Sequence, residues 1–143
     1  MGEQSMVKFR PITLDDAAML LLWRNDPTTR KASVGSEPVE WEDHIEWLRS
    51  SLTNSNRELL LALLDEEPIG TVRIDRNDKI EMSWTIAPSA RGKGLGKQMV
   101  RAALPDGEVT ARIKRYNIAS QRIALAAGFQ LVLDDPLQLW LRS

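Results

Sequence analysis

Arg91, Gly92, Lys93, Gly94, Gly96 and Lys97 place three glycines and three cations within a single short stretch. Glycine reaches positive φ and has no Cβ to hold a ligand away. Three glycines at positions 92, 94 and 96 therefore read as ligand contacts, not as packing. Ile80 to Ile86 precede the stretch as a strand that stops at Ala87-Pro88. Gln98 to Leu104 follow it as good helix formers with apolar positions at helical spacing. The order is strand, basic glycine loop, helix. A helix start offers unpaired N–H groups and the positive end of the macrodipole, so the stretch predicts a phosphate site.

The spacing excludes two common phosphate loops. Counting back from Gly96-Lys97, the first glycine of a Walker loop falls on Arg91, and neither Lys93 nor Lys97 is followed by Ser or Thr. A dinucleotide G-x-G-x-x-G begun at Gly92 needs glycine where Lys97 stands, and begun at Gly94 needs it at Met99. What fits is R-x-x-G-x-G, as Arg91, Gly94 and Gly96.

Composition narrows the classes further. The 143 residues suit one domain, residues 1–143, with a real core. The net charge of −1 argues against a broad surface for nucleic acid or an anionic membrane. Without cysteine the chain has no disulfide, no thiolate nucleophile and no Cys-zinc site, which suits the cytoplasm. Its single histidine rules out a multi-histidine metal site, so no metal is expected. No apolar run approaches a membrane span, and Met1 to Phe9 has no signal-peptide stretch.

The elements that must position the loop follow from periodicity. Val7 to Ile12 alternates as a strand. Thr13 caps a helix running to about Asn25, with Leu14, Ala18, Leu21 and Leu22 on one face. The stretch from Arg24 to Lys31 reads as polar and turn-centred around Asp26-Pro27. A second helix follows Pro38, with Trp41, Ile45, Leu48 and Leu52 as its buried stripe and His44 beside it. Strands at Glu58–Leu64, Ile69–Asp75 and Ile80–Ile86 form a meander that delivers the chain to the loop. After the loop helix come a strand at Glu108–Ile113, a helix at Ile118–Ala127 capped by Asn117, and a terminal hairpin about Asp134-Asp135-Pro136.

The order β, α, α, β, β, β, α, β, α, β, β implies a mixed sheet with helices on its faces. Three motifs stand in sequence along the C-terminal half. They are Glu81-Met82-Ser83-Trp84-Thr85-Ile86-Ala87-Pro88, the loop itself, and Asn117-x-x-Ser120 followed by Gly128-Phe129. Together they resemble the GNAT N-acetyltransferases, in the version seen in ribosomal-protein N-terminal and amino-sugar-nucleotide acetyltransferases. The resemblance implies an α/β (α+β) fold. Its centre is a mixed, largely antiparallel twisted sheet of about seven strands flanked by four helices.

The resemblance also implies acetyl-CoA as acetyl donor. Backbone N–H groups from Gly92 through Lys93, Gly94, Leu95 and Gly96 to Lys97 cradle its pyrophosphate, with Arg91 and Lys93 adding charge. Backbone groups of Thr85, Ile86 and Ala87 pair with the pantetheine arm as an added strand would, and an N–H near Ile86 faces the thioester oxygen. Asn117 and Ser120 match positions that contact the pantetheine and phosphate portions. The acceptor amine must lose a proton, and Glu81, on the polar face of its strand with Ser83 and Thr85, is the candidate base. Many family members carry a tyrosine seven residues after the asparagine, where this chain has Ala124. Tyr116 adjoins Asn117 instead, which leaves Ser120 or water to protonate the leaving thiolate, or the thiolate to leave unassisted.

In this family the N-terminal half shapes the acceptor pocket. Trp23-Arg24-Asn25-Asp26-Pro27 with Arg30-Lys31, then Glu40-x-x-x-His44-x-x-Trp47, resembles the amino-sugar-nucleotide enzymes. The resemblance implies Arg24, Asn25, Arg30 and His44 as substrate-binding residues. For His44 alone, the residues by themselves read rather as a partly buried histidine capping a helix contact. Three readings stay open: acetylation of an amino-sugar nucleotide or other small amine, acetylation of a protein or peptide N-terminus, and a non-catalytic acyl-CoA-binding module. The sequence does not separate monomer from homodimer.

Overall fold

The computed structural model describes residues 6–33 and 35–143. Residues 1–5, part of the stretch read above for a signal peptide, lie outside the described residues. Seven strands form one sheet: β1 (Lys8–Pro11), β2 (Arg57–Leu64), β3 (Glu67–Arg76), β4 (Ile80–Ile86), β5 (Val109–Lys114), β6 (Gln130–Leu133) and β7 (Leu137–Arg142). Among the described residues five α-helices accompany them: α1 (Ala17–Asn25), α2 (Pro27–Ala32), α3 (Trp41–Thr53), α4 (Leu95–Ala103) and α5 (Ile118–Ala126). This is the mixed, largely antiparallel sheet expected from the sequence. The six-residue α2 joins four longer helices.

The sheet order is β1-β2-β3-β4-β5-β7-β6. Every neighbouring pair is antiparallel except β4 and β5. That one parallel pair joins only at Ile80↔Val109 and Glu81↔Thr110, after which the two strands part. On one face Met99 and Val100 of α4 and Ile123 and Ala124 of α5 pack with Val72, Ile74, Met82 and Phe129. On the other face Ala17 and Leu20 of α1 and Leu48 of α3 pack on Leu59, Leu61 and Leu63 of β2. The parting of β4 and β5 thus opens the middle of the sheet between two separate cores.

Three readings of the N-terminal half change. The stretch after Arg24 is a helix: Asp26 accepts the Thr29 N–H at 3.2 Å as N-cap, and Pro27 fills the first helical position, where its missing N–H is harmless. The buried face of α1 is Ala17 and Leu20, while Ala18 and Leu22 are exposed. A short 3₁₀ turn at Leu14–Asp16 precedes α1 and shifts its phase from the one expected. The buried face of α3 is His44, Leu48 and Ser51, one position round from the predicted stripe, leaving Trp41 and Leu52 exposed. Its polar members have partners. His44 bonds the Ala17 carbonyl, and the Ser51 hydroxyl accepts from Arg57 at 2.9 Å.

Candidate functional site

Gly92 and Gly94 adopt φ of +75° and +73°, a backbone that few L side chains take. A Cβ built on either meets nothing within 4 Å. Both face a cleft of about 990 Å³ that passes through the parting of β4 and β5. Gly94 is also the residue from which α4 starts, so the orphan N–H groups of that helix stand at the cleft wall. This is a cradle with room for an anion and no side chain in the way.

The next section of the cleft is strand edge. The Ala87 N–H donates to the Ile69 carbonyl at 2.8 Å. Backbone groups alternate sides along an antiparallel strand, so those of Thr85 and Ala87 turn toward β3. Those of Trp84 and Ile86 turn toward the parting, where β5 no longer pairs with them. Across it, Asn117 caps α5 by accepting the Ser120 N–H at 3.1 Å. The Ser120 hydroxyl oxygen accepts the Trp84 indole N–H at 3.2 Å. An indole can only donate, so the Ser120 O–H proton is left for another partner.

The far end of the cleft lies among α1, α2 and α3. His44, 4% exposed, lines it with Asp43 and Trp47. Its Nε2 lies 3.0 Å from the Ala17 carbonyl oxygen, and its ring stacks on Trp47 with centroids 6.2 Å apart and planes 22° apart. Burial pushes its pKa below the ordinary 6.5, against an opposing pull from the Ala17 bond. Arg24 lines the same end. Its Nη2 donates to the Gly35 carbonyl at 2.5 Å, while its Nη1 is buried without a partner. Burial, aided by the charge of Arg30, holds the Arg24 pKa below its usual value.

Residues 7–130 match the family model described as the acetyltransferase (GNAT) domain. The chain belongs to the GNAT acetyltransferase family. An uncharacterized protein of Methanocaldococcus jannaschii is 29% identical over an alignment covering 90% of this chain and 29% of that protein. The chain therefore spans less than a third of the curated relative it matches. A solved domain from Methanocaldococcus jannaschii superposes with a TM-score of 0.84 at 25% identity, covering 96% of this chain and 98% of that one. The aminoglycoside acetyltransferase AAC(6')-Ib, solved with ribostamycin and coenzyme A, gives 0.84 at 24% identity, with 96% and 93% covered. Vibrio cholerae spermidine N-acetyltransferase, solved with CoA and spermine, gives 0.80 at 14%, with 95% and 93% covered. At these identities the last two share the GNAT fold.

Of the GNAT loop residues expected from the sequence, Arg91, Gly92, Gly94, Leu95, Gly96 and Lys97 line the cleft and Lys93 does not. Two of them have other work. A Cβ on Gly96 would lie 2.5 Å from Ile123 Cδ1 and 3.1 Å from Ile86 Cδ1, so this glycine is there for packing α4 against α5. Arg91 donates through Nη2 to Asp26 Oδ2 at 2.6 Å and to the Thr29 hydroxyl at 2.7 Å. Its charge faces a carboxylate and ties the loop to α2. Of the strand residues, Thr85 and Ile86 line the cleft. Ala87 does not, because its N–H is taken by Ile69 and its carbonyl by the Ala90 N–H at 2.9 Å. Asn117 and Ser120 line it.

The other expectations divide. Glu81 is not in the cleft wall, and Arg112 donates to both of its oxygens, Nε at 2.7 Å and Nη2 at 3.0 Å. Asn25 is also elsewhere, its amide tied to the Val39 backbone in both directions at 2.9 and 2.8 Å. Arg30 is not in the wall either, although its Nε is buried without a partner. Arg24 and His44 are in it. Tyr116 is 88% exposed, which removes it from the leaving-group chemistry. Sequence reasoning passed over Asp43, Gly70 and the Trp84–Ser120 bond. The strand parity of Trp84 was the available signal for the last of these, whereas the other two depend on register and helix phase.

Asp26 joins two halves of the GNAT site, since it caps α2 and neutralises Arg91. The Arg91 guanidinium holds the Asp26 carboxyl below the usual carboxylate range. Asp26→Ala is expected to destabilise the chain by about 1–2 kcal/mol in urea unfolding, as loss of an N-cap does. Asp26→Asn keeps a good cap and isolates the ion pair. Equal midpoints for Asp26→Ala and the parent would remove the cap from the account.

Proposed function

We propose that the domain transfers an acetyl group from acetyl-CoA to a primary amine of a small molecule. The observation that carries this reading is one continuous cleft, with an open glycine cradle at the start of α4, an unpaired strand edge in its middle and a polar chamber beyond. The cradle fits a pyrophosphate, because a Cβ at Gly92 or Gly94 would occupy the space a phosphate needs. The edge of Trp84 and Ile86 fits a peptide-like arm, which it would receive as an added strand. Acetyl-CoA, when bound, supplies a thioester carbonyl for attack. The Ile86 N–H is placed to stabilise charge developing on its oxygen. The Ser120 O–H, freed by the Trp84 indole, donates toward the departing sulfur.

The finer reading is an acceptor that carries an anion, such as an amino-sugar nucleotide. Arg24 supports it: a cleft-lining guanidinium with one nitrogen sealed off and no carboxylate partner among the described residues. Asp43 is the one carboxylate lining the cleft among those residues, against Arg24, Arg122 and Lys97, while the cleft residues Arg73, Arg91 and Arg112 are each ion-paired to a carboxylate outside the wall. That balance suits polycations such as spermine or an aminoglycoside poorly, and an anionic amine well.

The test is coenzyme A thiol release over a panel of amines: a uridine-diphosphate amino sugar, glucosamine, kanamycin, spermidine and an N-terminal peptide. The uridine-diphosphate amino sugar is expected to be the fastest. The peptide as the fastest acceptor would favour N-terminal acetylation. Tight acetyl-CoA binding with no release for any amine would leave only a binding module.

A further inference from the structure

We propose that His44 is the base that takes the proton from the acceptor amine, a role that rests on the acetyl-transfer reading above. A carbonyl oxygen can only accept, so the 3.0 Å contact with Ala17 places the imidazole proton on Nε2 and the lone pair on Nδ1. Among the described residues Nδ1 has no hydrogen-bond partner. Nor is it one of the sealed polar atoms without a hydrogen bond, which belong to Arg24, Arg30 and Arg73. Nδ1 is therefore not sealed off, in a residue that lines the cleft. Trp41 and Trp47 flank the ring at 6.4 and 6.2 Å and restrict its rotation. The ring is thus held in one tautomer by Ala17, between two indoles, at the wall of the chamber an acceptor must enter.

Its ionisation suits the task. The elements around it carry Glu42, Asp43, Glu46 and Arg49 on α3, Asp16 ahead of α1, Arg24 on α1, Arg30 and Lys31 on α2 and, facing the cleft from β3, Arg73. None of these is a cause of its shift, which is set by burial and the Ala17 bond. Burial wins, so the imidazole is neutral near neutral pH, as a general base must be. The alternative carboxylate, Glu81, is held at both oxygens by Arg112.

The step balances as follows. The acceptor arrives as an ammonium, and Nδ1 takes one of its protons to give the imidazolium and a free amine. The amine nitrogen bonds to the thioester carbonyl carbon and the carbon–sulfur bond breaks. The thiolate gains a proton from the Ser120 hydroxyl, which is restored from water, and the amide nitrogen and imidazolium release theirs to solvent. The net products are an acetamide, coenzyme A thiol and one proton.

The chain has a single histidine, so one imidazole signal reports the site. Nitrogen-15 spectra of the full chain should show the Nε2–H tautomer, titrating below the ordinary 6.5. A proton on Nδ1, or titration at or above that value, overturns the proposal. His44→Gln keeps a donor for Ala17 but has no base. With the fastest amine of the panel its turnover should fall by about 10²–10⁴. Acetyl-CoA affinity by calorimetry should stay unchanged, and the acid limb of the pH profile should disappear. His44→Ala with added imidazole should regain part of the lost rate. Release by His44→Gln at the parent's rate, with the acid limb intact, sinks the base and leaves acetyl transfer standing. No release by the parent with any amine sinks acetyl transfer itself and the base with it.

Discussion

Gly94→Val should lower acetyl-CoA affinity by about a hundredfold or more, the loss of two charge-assisted hydrogen bonds at about 1.5–3 kcal/mol each. Gly94 stands at φ +73° with nothing within 4 Å of its Cβ position. A branched side chain there enters the cradle and screens the first N–H groups of α4 from a phosphate. It also strains the backbone, at about 1–2 kcal/mol for a left-handed residue. Gly107 separates the two effects. It lies between α4 and β5 at φ +86°, also with nothing within 4 Å, and it is outside the cleft. Gly107→Val should show a similar loss in urea unfolding and no change in acetyl-CoA calorimetry. Equal affinities for Gly94→Val and Gly107→Val would mean that the cradle is not where the pyrophosphate sits. Gly96→Ala adds a third pattern. Its Cβ strikes Ile123 inside the helix packing, so stability should fall first, with affinity following only through the displaced helix.

The contrast between Gly94 and Gly96 shows what sequence reading could and could not reach. Both are glycines of one motif, and local sequence treats them alike. Only the approach of α5 shows that Gly96 makes room for Ile123. Arg91 has the same character: beside glycines it reads as a phosphate cation, yet its partner Asp26 caps α2, far away in sequence. The order of elements along the chain, the loop and the Asn117 cap were legible because they rest on local periodicity and turn chemistry. Glu81 was misplaced because its partner Arg112 becomes a neighbour only through the short parallel pairing of β4 with β5. The helix α2 was within reach, since Asp26-Pro27 is a cap followed by a first-position proline, but two turn-forming residues in a row also read as a turn.

His44 shows a different limit. Sequence placed it beside a helix stripe, and the phase of that stripe decided its meaning. With α3 rotated by one position, the histidine moves to the buried face and the tryptophans at 41 and 47 to the flanks. A residue that fitted a helix contact then becomes a fixed ring at a chamber wall. Its stability linkage follows from the direction of its shift. Because the folded pKa is depressed, the unfolded chain binds the proton more readily. Stability at this site is therefore full above the unfolded value near 6.5 and declines as pH falls from there through the folded value.

Gly70→Ala carries the second large effect, and its sign runs against intrinsic propensity. Within a strand, alanine in place of glycine should stabilise by about 0.5–1 kcal/mol. Here Gly70 stands opposite Ile86 in a close, non-hydrogen-bonded pair of β3 and β4. A Cβ on it would lie 2.4 Å from the Thr85 carbonyl oxygen and 2.8 Å from Met99 Sδ. The first neighbour is backbone and cannot rotate away. The second is fully buried in the core beneath the cradle. Overpacking of this kind costs about 1–3 kcal/mol, and the backbone clash places Gly70→Ala at the upper end. The strain also falls on Thr85 and Ile86, the strand end that borders the parting, so acetyl-CoA affinity should drop together with the urea midpoint. Met99→Ala in the same chain decides which neighbour matters. If the sulfur is the obstacle, the double variant should be less destabilised than the two single losses added together; if the Thr85 carbonyl is, the losses should simply add. A Gly70→Ala midpoint at or above the parent's would show that β4 can yield at Thr85. The strand edge beside the cleft would then be softer than its pairing with β3 implies.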